Sequence, residues 1–328
     1  MSSITLRDVA RAAGVSLITA SRALNKPDRV SRATAAHVQK LAAEIGYVRN
    51  QLAGGLRSQR SRTIAALVPS ISVSQFLPMV STLTSELERE GYQLLLGQTG
   101  YDRARELPLL QAMIGRRVDG IIVAGRLGPA AAGAALRASG IPVVETWDMA
   151  AQPFDGIVGF SHLKVGASVA GFFLRKGWTR LGIATGDDAR AAERREGFLS
   201  VVGREVPTAR VPAPSSVASG RRALAELLAQ DSSLQAVFCS ADMLAEGVLT
   251  EARARGLRVP QDLAVCGFGG AEFCPHLVPS LTTVHIDGER IGRLAIRMLM
   301  QRIAGQHPPD AAVDVGFQLV ERESTGAP

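Results

Sequence analysis

Two short apolar repeats at helical spacing, separated by one glycine, open the chain. Thr5, with Asp8 three residues later, can cap a first helix, and Ser16 can cap a second. Gly14 supplies the tight turn between them. Apolar residues stand where two crossed helices must touch: Val9, Ala10, Val15, Ala20 and Leu24. The pattern predicts a hairpin of two helices.

A third helix is predicted farther along. Ser31 can cap it, apolar residues keep helical spacing as far as Ile45, and Gly46 ends it in the usual manner of helix C termini. Three helices in so short a stretch make a small all-α domain, which we place at residues 1–48. Residues 49–62 are polar, basic and glycine-containing and lack an apolar face, so they are predicted to be a linker.

From residue 63 onward, short apolar runs alternate with amphipathic stretches. The runs predict strands at 63–69, 92–97, 120–124, 142–146, 156–160, 181–185, 236–239 and 264–267. The amphipathic stretches predict helices at 76–90, 103–116, 130–139, 164–176, 190–202, 219–230 and 241–255. Strand, crossover helix and strand, repeated in this way, predict parallel sheets with helices on both faces. The predicted fold class is therefore α/β, preceded by a small all-α unit.

This part of the chain is too long for one sheet of ordinary size, so two similar sub-domains with a cleft between them are expected. In open parallel sheets a ligand lies outside the carboxyl ends of the strands. That rule places around the cleft the loops that follow six residues: Pro69, Glu145, Phe160, Thr185, Ser240 and Phe268.

Positive charge is concentrated in the N-terminal part of the chain. The whole sequence has 37 Lys and Arg against 30 Asp and Glu, a formal net charge of +7. Residues 1–62 hold eleven of the basic and three of the acidic residues, an excess of eight, so the remainder is close to neutral. A basic excess confined to a small helical domain is the footprint expected for contact with nucleic-acid phosphates.

The second helix of the hairpin is predicted to expose a face that suits DNA. Leu17, Ile18, Ser21, Arg22 and Asn25 share that face, away from the contact with the first helix. Two large apolar residues cost free energy in water but suit thymine methyl groups, and an arginine fork suits guanine in the major groove. This face is therefore predicted to bind DNA.

The sequence gives no sign of a metal, a cofactor or catalysis. Cys239, Cys266 and Cys274 lack the spacing of a metal site, and reduced core thiols are expected. No nucleophile with a nearby base and no phosphate-binding glycine loop stands out, so no catalytic residue is assigned. With no apolar signal segment and no run of the roughly 18 apolar residues that span a membrane, the protein is expected to be cytoplasmic.

Several motifs resemble a known family. The N-terminal hairpin, the stretch EIGYVRN at 44–50, PSLTTV at 279–284 and REST at 322–325 are similar to the LacI/GalR family of bacterial transcriptional regulators. The similarity extends over nearly the whole chain.

The resemblance implies three parts: a helix-turn-helix headpiece at 1–48, a hinge at 49–62 and a periplasmic-binding-protein-like core at 63–328. The core would contain one sub-domain of about 63–160 plus 287–318, and a second of about 161–286 plus a C-terminal crossover. Two headpieces imply a homodimer on a pseudo-palindromic, double-stranded operator, because each headpiece needs a matching half-site.

The resemblance also assigns the DNA-binding candidates. Leu17 and Ile18 stand at the positions that decide operator sequence, and Arg22 stands where the family commonly contacts guanine. Six residues stand at positions that contact phosphates or dock the helix: Thr5, Thr19, Ser21, Asn25, Tyr47 and Asn50. Leu6 and Ser16 complete this part of the predicted set.

In the hinge, Leu56 falls where the family inserts a leucine into the minor groove at the centre of the operator. Such a wedge costs a few kcal/mol of base unstacking, which the bend and the wider contact recover. Gly54 and Gly55 depart from the family pattern, because each glycine costs about 1 kcal/mol relative to alanine in a helix. The hinge is therefore expected to be unfolded away from DNA.

For the effector, the resemblance makes Arg194 the strongest candidate, since the family carries a ligand-binding arginine three residues before its Gly-Phe pair. A guanidinium suits a carboxylate through two parallel hydrogen bonds. Gly269, Ala241 and Ser215 stand where many members have an aspartate, an asparagine and an aromatic residue. These departures argue against a neutral hexose or a purine as the ligand.

Segments 143–145, 158–162 and 267–270 look like the gluconate-responsive branch of the family, which implies a sugar acid such as gluconate or a related keto or phosphorylated form. Predicted hydroxyl partners are Ser70, Ser72, Glu145, Asp148, Ser161, His162 and Asp242. Phe76 and Trp147 are predicted to form an apolar wall, and Gly269 completes the effector set. For His162, a satisfied loop histidine is an equal alternative.

The predicted function is a sequence-specific DNA-binding transcriptional regulator, a repressor, whose operator affinity a sugar acid controls. Two alternatives share the α/β core: a sugar-binding protein of a transporter and a sugar-metabolising enzyme. The first gains nothing from a basic helix-turn-helix and would also need an export signal, and a test for turnover of candidate sugars would separate the second.

Overall fold

The computed structural model describes residues 4–47, 60–72, 74–128, 130–306 and 310–326. The chain divides into two compact units, Met1–Ser61 and Arg62–Pro328. Most of the predicted linker, with Asn50, Gly54, Gly55 and Leu56, lies outside the described residues.

The N-terminal unit contains helices α1 at Leu6–Ala12, α2 at Leu17–Asn25 and α3 at Arg32–Glu44. Ser16 caps α2, because its hydroxyl accepts from the Thr19 N–H at 3.1 Å, and Ser31 caps α3 through the Thr34 N–H at 3.1 Å. Gly14 adopts φ +62°, a left-handed conformation that favours glycine at the turn. The predicted hairpin, third helix and both serine caps are confirmed.

Small residues form the core of this unit. Val9, Ala20 and Val38 are fully buried, whereas Val15 and Leu24 are half-buried and pack against them. Alanine at the crossing lets the helices approach closely, and valine supplies apolar area to bury. The core therefore fixes α2 through one face and leaves its opposite face open.

The second unit alternates strands and helices. Its strands are β1 at Thr63–Val68, β2 at Gln93–Gln98, β3 at Gly120–Ala124, β4 at Val143–Thr146, β5 at Gly156–Gly159, β6 at Leu181–Gly186, β7 at Thr208–Val211, β8 at Ala236–Cys239, β9 at Ala264–Gly269, β10 at Thr282–His285, β11 at Ala312–Asp314 and β12 at Gln318–Val320. Its helices are α4 at Leu77–Arg89, α5 at Glu106–Gly115, α6 at Ala130–Ser139, α7 at His162–Arg175, α8 at Ala189–Val202, α9 at Val217–Gln230, α10 at Asp242–Ala254 and α11 at Gly288–Ile303.

These strands form two six-stranded sheets. The first has the order β11-β5-β4-β3-β1-β2 and is parallel throughout. The second has the order β12-β10-β9-β8-β6-β7, and only β12 runs antiparallel to its neighbour. The chain passes between the sheets after β5, after β10 and after β11. The predicted α/β class with two parallel sheets is confirmed.

Several elements escaped the sequence analysis. The strands β7, β10, β11 and β12 and the helix α11 were not predicted. β7, β11 and β12 lie at sheet edges and have exposed positions, so they lack the continuous apolar run that marks a central strand. The prediction that the helix after β5 starts at residue 164 was wrong, because Ser161 accepts from the Lys164 N–H and starts α7 at His162.

Two glycines bring α7 and α8 unusually close together. A Cβ atom on Gly166 would collide with the carbonyl oxygen of Arg194, and one on Gly197 would collide with that of Leu163. No side chain larger than hydrogen fits at either contact. This close approach brings His162, at the start of α7, beside Arg194 on α8.

In the part of the chain that the structure describes, every helix is too short or too polar to cross a lipid bilayer.

Candidate functional site

A cleft of about 670 Å³, counting the space continuous with solvent, lies between the two sheets of the second unit. The lining comes from the ends of strands in both sheets, as expected for parallel sheets. The lining residues are Ser72, Gln75, Tyr101, Trp147, His162, Asp188, Arg190, Arg194, Ala213, Ser215, Ser240, Ala241, Met243 and Phe268.

Arg194 is held rigidly at the floor of this cleft. It is 5 % exposed, and its Nη1 and Nη2 atoms donate to His162 Nδ1 at 2.8 Å and to the Ser240 carbonyl at 3.0 Å. The guanidinium lies 4.0 Å from the centre of the Phe268 ring, in a cation–π contact. Its Nε has no partner among the described residues. Burial lowers the pKa of Arg194 to about 10, so the side chain stays charged at neutral pH.

His162 connects Arg194 to the opposite sheet. Because its Nδ1 accepts from Arg194, its Nε2 carries the proton and donates to the Trp147 carbonyl at 3.0 Å. Burial, reinforced by the positive charge of Arg194, lowers the pKa of His162 well below its ordinary value. The imidazole is therefore neutral, with both nitrogens engaged.

Acidification is expected to destabilise the second unit through His162. Because the pKa of His162 is lowered by folding, the unfolded chain binds the proton more readily, and stability falls as the pH drops below about 6.5. A His162→Gln variant cannot take up that proton. From pH 7.5 to pH 5.5, the urea concentration at the midpoint of unfolding should therefore fall more for the unmodified protein than for the variant.

Burial raises the pKa values of Asp148 and Asp242, which gives the opposite pH dependence, but both proteins contain these groups. The difference between the two proteins therefore isolates the histidine. If acidification lowered the stability of both proteins equally, that result would contradict the tautomer and the burial assigned to His162.

Two aromatic residues of the cleft have strained backbones. Trp147 and Tyr101 adopt φ values of +61° and +63°, which bulky side chains rarely do. The Trp147 indole N–H donates to the Met79 sulfur at 3.0 Å. The Trp147 and Phe76 rings pack edge to face, with their centroids 5.0 Å apart. These contacts fix Trp147 against α4 while its carbonyl faces His162.

Asp188 and Arg190 form a charged pair at the start of α8. The Asp188 carboxylate caps the helix by accepting from the N–H groups of Arg190 and Ala191, both at 3.1 Å. Arg190 Nε lies 3.9 Å from the Asp188 carboxylate, and its Nη1 is 3.5 Å from the Ala124 carbonyl. Since these contacts are long, the Arg190 guanidinium retains donors for a ligand.

A salt-bridge chain crosses from one sheet to the other beside the cleft. Arg126 contacts Asp148, which follows Trp147, at 3.3 Å and Glu193 on α8 at 2.9 Å. The loop after β4 is thus tied to α8 twice, through Arg126 and through His162.

The predicted effector residues divide into three groups. Ser72, Trp147, His162 and Arg194 line the cleft. Ser70 and Phe76 lie behind it: the Ser70 hydroxyl bonds Ser72 at 2.7 Å, and Arg190 lies over the Phe76 ring. The others lie outside the lining: Glu145, Asp148, Ser161, Asp242 and Gly269.

These outlying residues have structural partners of their own. The Glu145 carboxylate accepts from the N–H groups of Leu127 and Phe154 at 2.7 and 2.9 Å. Asp242 accepts from the Ala271 N–H at 2.7 Å and the Thr283 hydroxyl at 2.6 Å. Their buried charges are thus satisfied by the protein itself.

Several residues of the cleft lining were not predicted from the sequence. Gln75, Tyr101, Arg190, Met243 and Phe268 were not among the candidates, although Phe268 directly follows a predicted strand. A search of every polar residue after the carboxyl end of each strand would have included Asp188 and Arg190.

The N-terminal unit carries the second candidate surface. Leu17 and Ile18 are 45 % and 64 % exposed, which is high for large apolar residues, and Arg22 and Asn25 are exposed beside them. The remaining described candidates are exposed or half-buried: Thr5, Leu6, Ser16, Thr19, Ser21 and Tyr47. Six further basic residues on this unit are exposed: Arg7, Arg11, Lys26, Arg29, Arg32 and Lys40. The surface combines apolar anchors with positive charge, as DNA-binding surfaces do.

Within the described residues, no group of three His, Cys, Asp or Glu side chains could hold a metal ion. Cys239, Cys266 and Cys274 are free and buried, and burial raises the pKa of each thiol.

The chain is similar in sequence to known proteins. Residues 5–50 match the family model described as bacterial regulatory proteins, lacI family, and residues 170–325 match a periplasmic binding protein-like domain. The chain is 38 % identical to the HTH-type transcriptional regulator GntR of Pseudomonas aeruginosa, over 98 % of this chain and 95 % of that protein.

Solved structures show the same architecture. A transcriptional regulator from Silicibacter pomeroyi superimposes with a TM-score of 0.91 at 33 % identity, covering 98 % of this chain and 99 % of that one. The lac repressor dimer bound to operator superimposes with a TM-score of 0.84 at 25 % identity, covering 99 % of this chain and 100 % of that one.

Proposed function

This chain belongs to the LacI family of bacterial regulatory proteins, and on that premise we propose that it is a repressor whose effector is a small sugar acid. It is a DNA-binding transcriptional regulator, and its relatives are regulators rather than enzymes or transporter components. The proposed effector is gluconate or a related keto or phosphorylated form.

The paired arginines of the cleft carry the effector proposal. Arg194 and Arg190 present guanidinium donors in a small enclosed space, and a carboxylate accepts from such donors through charge-assisted bonds. Ser72, Gln75 and Ser215 offer partners for hydroxyl groups. Trp147 and Phe268 are apolar residues of the lining that would lie beside the carbon chain of a polyol. The buried Arg194 Nε has no partner among the described residues, so a ligand oxygen that accepts from it would satisfy this donor.

For operator binding, we propose that α2 enters the major groove. Leu17 and Ile18 would contact base edges, and Arg22 would contact guanine. The phosphate and docking contacts would come from Thr5, Leu6, Ser16, Thr19, Ser21, Asn25, Tyr47 and Asn50. The proposed boundaries remain 1–48 for the headpiece, 49–62 for the hinge with Leu56 as its minor-groove wedge, and 63–328 for the core.

The proposed switch uses the two ties between α8 and the loop after β4. LacI-family regulators bind operator DNA and a small effector as dimers. Arg194 on α8 lies beside the second sheet, and Ser72 and Gln75 lie beside the first. A ligand that binds Arg194 together with Ser72 or Gln75 favours one relative position of the two sheets. Because Trp147 contacts Met79 on α4, a change in the relative position of the two sheets also moves α4. Effector and operator affinity are then coupled by the difference in ligand affinity between the two positions.

Calorimetry on the full chain tests the effector proposal. Gluconate, 2-ketogluconate, 6-phosphogluconate, glucose and a purine would be titrated in turn, and binding of a sugar acid in preference to glucose and the purine is expected. Electrophoretic mobility shifts with DNA selected from random duplexes, with and without the bound compound, would test the coupling. Heat from glucose or the purine alone would overturn the assignment.

A further inference from the structure

The side chains that line the cleft carry a small net charge. Among the described residues that line it, Asp188, Arg190 and Arg194 are charged. His162 adds none, because its Nδ1 accepts from Arg194 and its Nε2 donates to a carbonyl. The lining therefore carries one net positive charge, which is what a single carboxylate requires.

Asp188 places a negative charge beside a ligand-binding arginine. Its carboxylate is 3.9 Å from Arg190 Nε, and its side chain is only about one-fifth exposed. The Arg190 guanidinium rests over the Phe76 ring at 5.6 Å, on the same side of the cleft as the lining residues Gln75 and Trp147. A ligand anion that approaches Arg190 thus also approaches Asp188.

Negative charges that meet in such a space repel strongly. Charge interactions are stronger in a cleft with little solvent than in water, since the effective dielectric constant is lower. A phosphate monoester carries about −1.5 to −2 at neutral pH. A phosphorylated sugar acid would therefore bring more than two negative charges to a lining that offsets one.

We infer that Asp188 restricts the effector to sugar acids with a single negative charge and excludes phosphorylated ones. The inference rests on the proposed function and narrows it, since it separates gluconate-like ligands from their phosphate esters. Asp188 also caps α8, and this second role decides which substitution is informative.

Asp188→Asn is the informative variant, because asparagine caps helices about as well as aspartate and differs mainly in charge. Asp188→Ser, also a good capping residue, serves as the second variant if the first fails to fold. Asp187→Asn is the matched control: it removes the same charge from the neighbouring exposed residue, whose carboxylate accepts from the Ala213 N–H at 2.9 Å. An amide oxygen can still accept that bond.

Calorimetry with gluconate and 6-phosphogluconate on the full chain measures the selectivity. The unmodified protein should bind gluconate at least about 30-fold more tightly than 6-phosphogluconate. In Asp188→Asn, 6-phosphogluconate should bind more tightly, so this affinity ratio should fall about 10-fold, as expected for the removal of one like-charge contact in a partly buried site. Asp187→Asn should keep the original ratio.

The outcomes separate the two proposals. Comparable affinity for gluconate and 6-phosphogluconate in the unmodified protein would overturn the inference and leave the sugar-acid function in place. An unchanged ratio in both Asp188 variants would overturn the role of Asp188. Binding of neither compound, together with binding of an uncharged metabolite, would overturn the proposed function itself.

Discussion

Arg194→Ala is expected to abolish the response to the effector while leaving operator binding unchanged. The guanidinium is buried and oriented by His162, Ser240 and Phe268, so its remaining donors are fixed before a ligand arrives. Loss of two charge-assisted hydrogen bonds, at about 1.5–3 kcal/mol each, corresponds to at least about 100-fold weaker binding. Calorimetry with the effector and mobility shifts with the operator would measure the two properties separately.

Two further variants make this test specific. Arg194→Lys keeps the charge but loses the planar fork, so it should also lose most of the affinity. Arg195→Ala is the matched control, because the neighbouring arginine pairs with Glu205 and is not part of the cleft lining. Normal ligand affinity in Arg194→Ala would remove Arg194 from the site. Loss of operator binding in the same variant would indicate general unfolding, which thermal denaturation would detect.

Replacing Leu17 and Ile18 is expected to change which operator is bound. In a Leu17→Thr, Ile18→Gln double variant, contacts with thymine methyl groups are lost, and glutamine can pair with adenine instead. Each base contact contributes about 1–3 kcal/mol of discrimination, so affinity for the original operator should fall about 10- to 100-fold or more. Because both side chains are largely exposed, the stability of the headpiece should not change.

Selection from random duplexes, followed by sequencing, would measure this change. The selected bases should differ from those of the unmodified protein, while the salt dependence of binding stays the same, since no phosphate contact is removed. His37→Ala, an exposed change on α3, is the control and should select the original sequence. Selection of the original sequence by the double variant would show that α2 does not read the bases through these two positions.

Much of the fold was predictable because it depends on local patterns. The central strands β1, β3, β8 and β9 are continuous apolar runs, and burial on both faces explains them without any knowledge of the neighbouring strands. Helix caps at Ser16 and Ser31 depend on residues three positions away. The edge strand β7 gave no such signal, because half of its residues face outward and its pairing with β6 comes from distant sequence.

The candidate site was less predictable for a related reason. Glu145 and Asp242 stand near the carboxyl ends of strands and have the right chemistry, but their carboxylates accept hydrogen bonds from backbone and side-chain groups that only the fold brings near. Arg190 and Tyr101 line the cleft although neither belongs to a recognisable motif. Which carboxylate faces a cavity is decided by packing, which a sequence pattern does not specify.

Local spacing and composition were enough to predict the helical hairpin, the position of its basic charge, the alternation of strands and helices, and the resemblance that singled out Arg194. Each of these depends on spacing of a few residues or on simple counting. Long-range packing places His162 between Arg194 and the strained Trp147, and it puts Asp188 in the same cleft as two arginines. The hydrogen bonds of His162 join residues up to 32 positions apart, and they depend on the carboxyl ends of the two sheets lining one cleft.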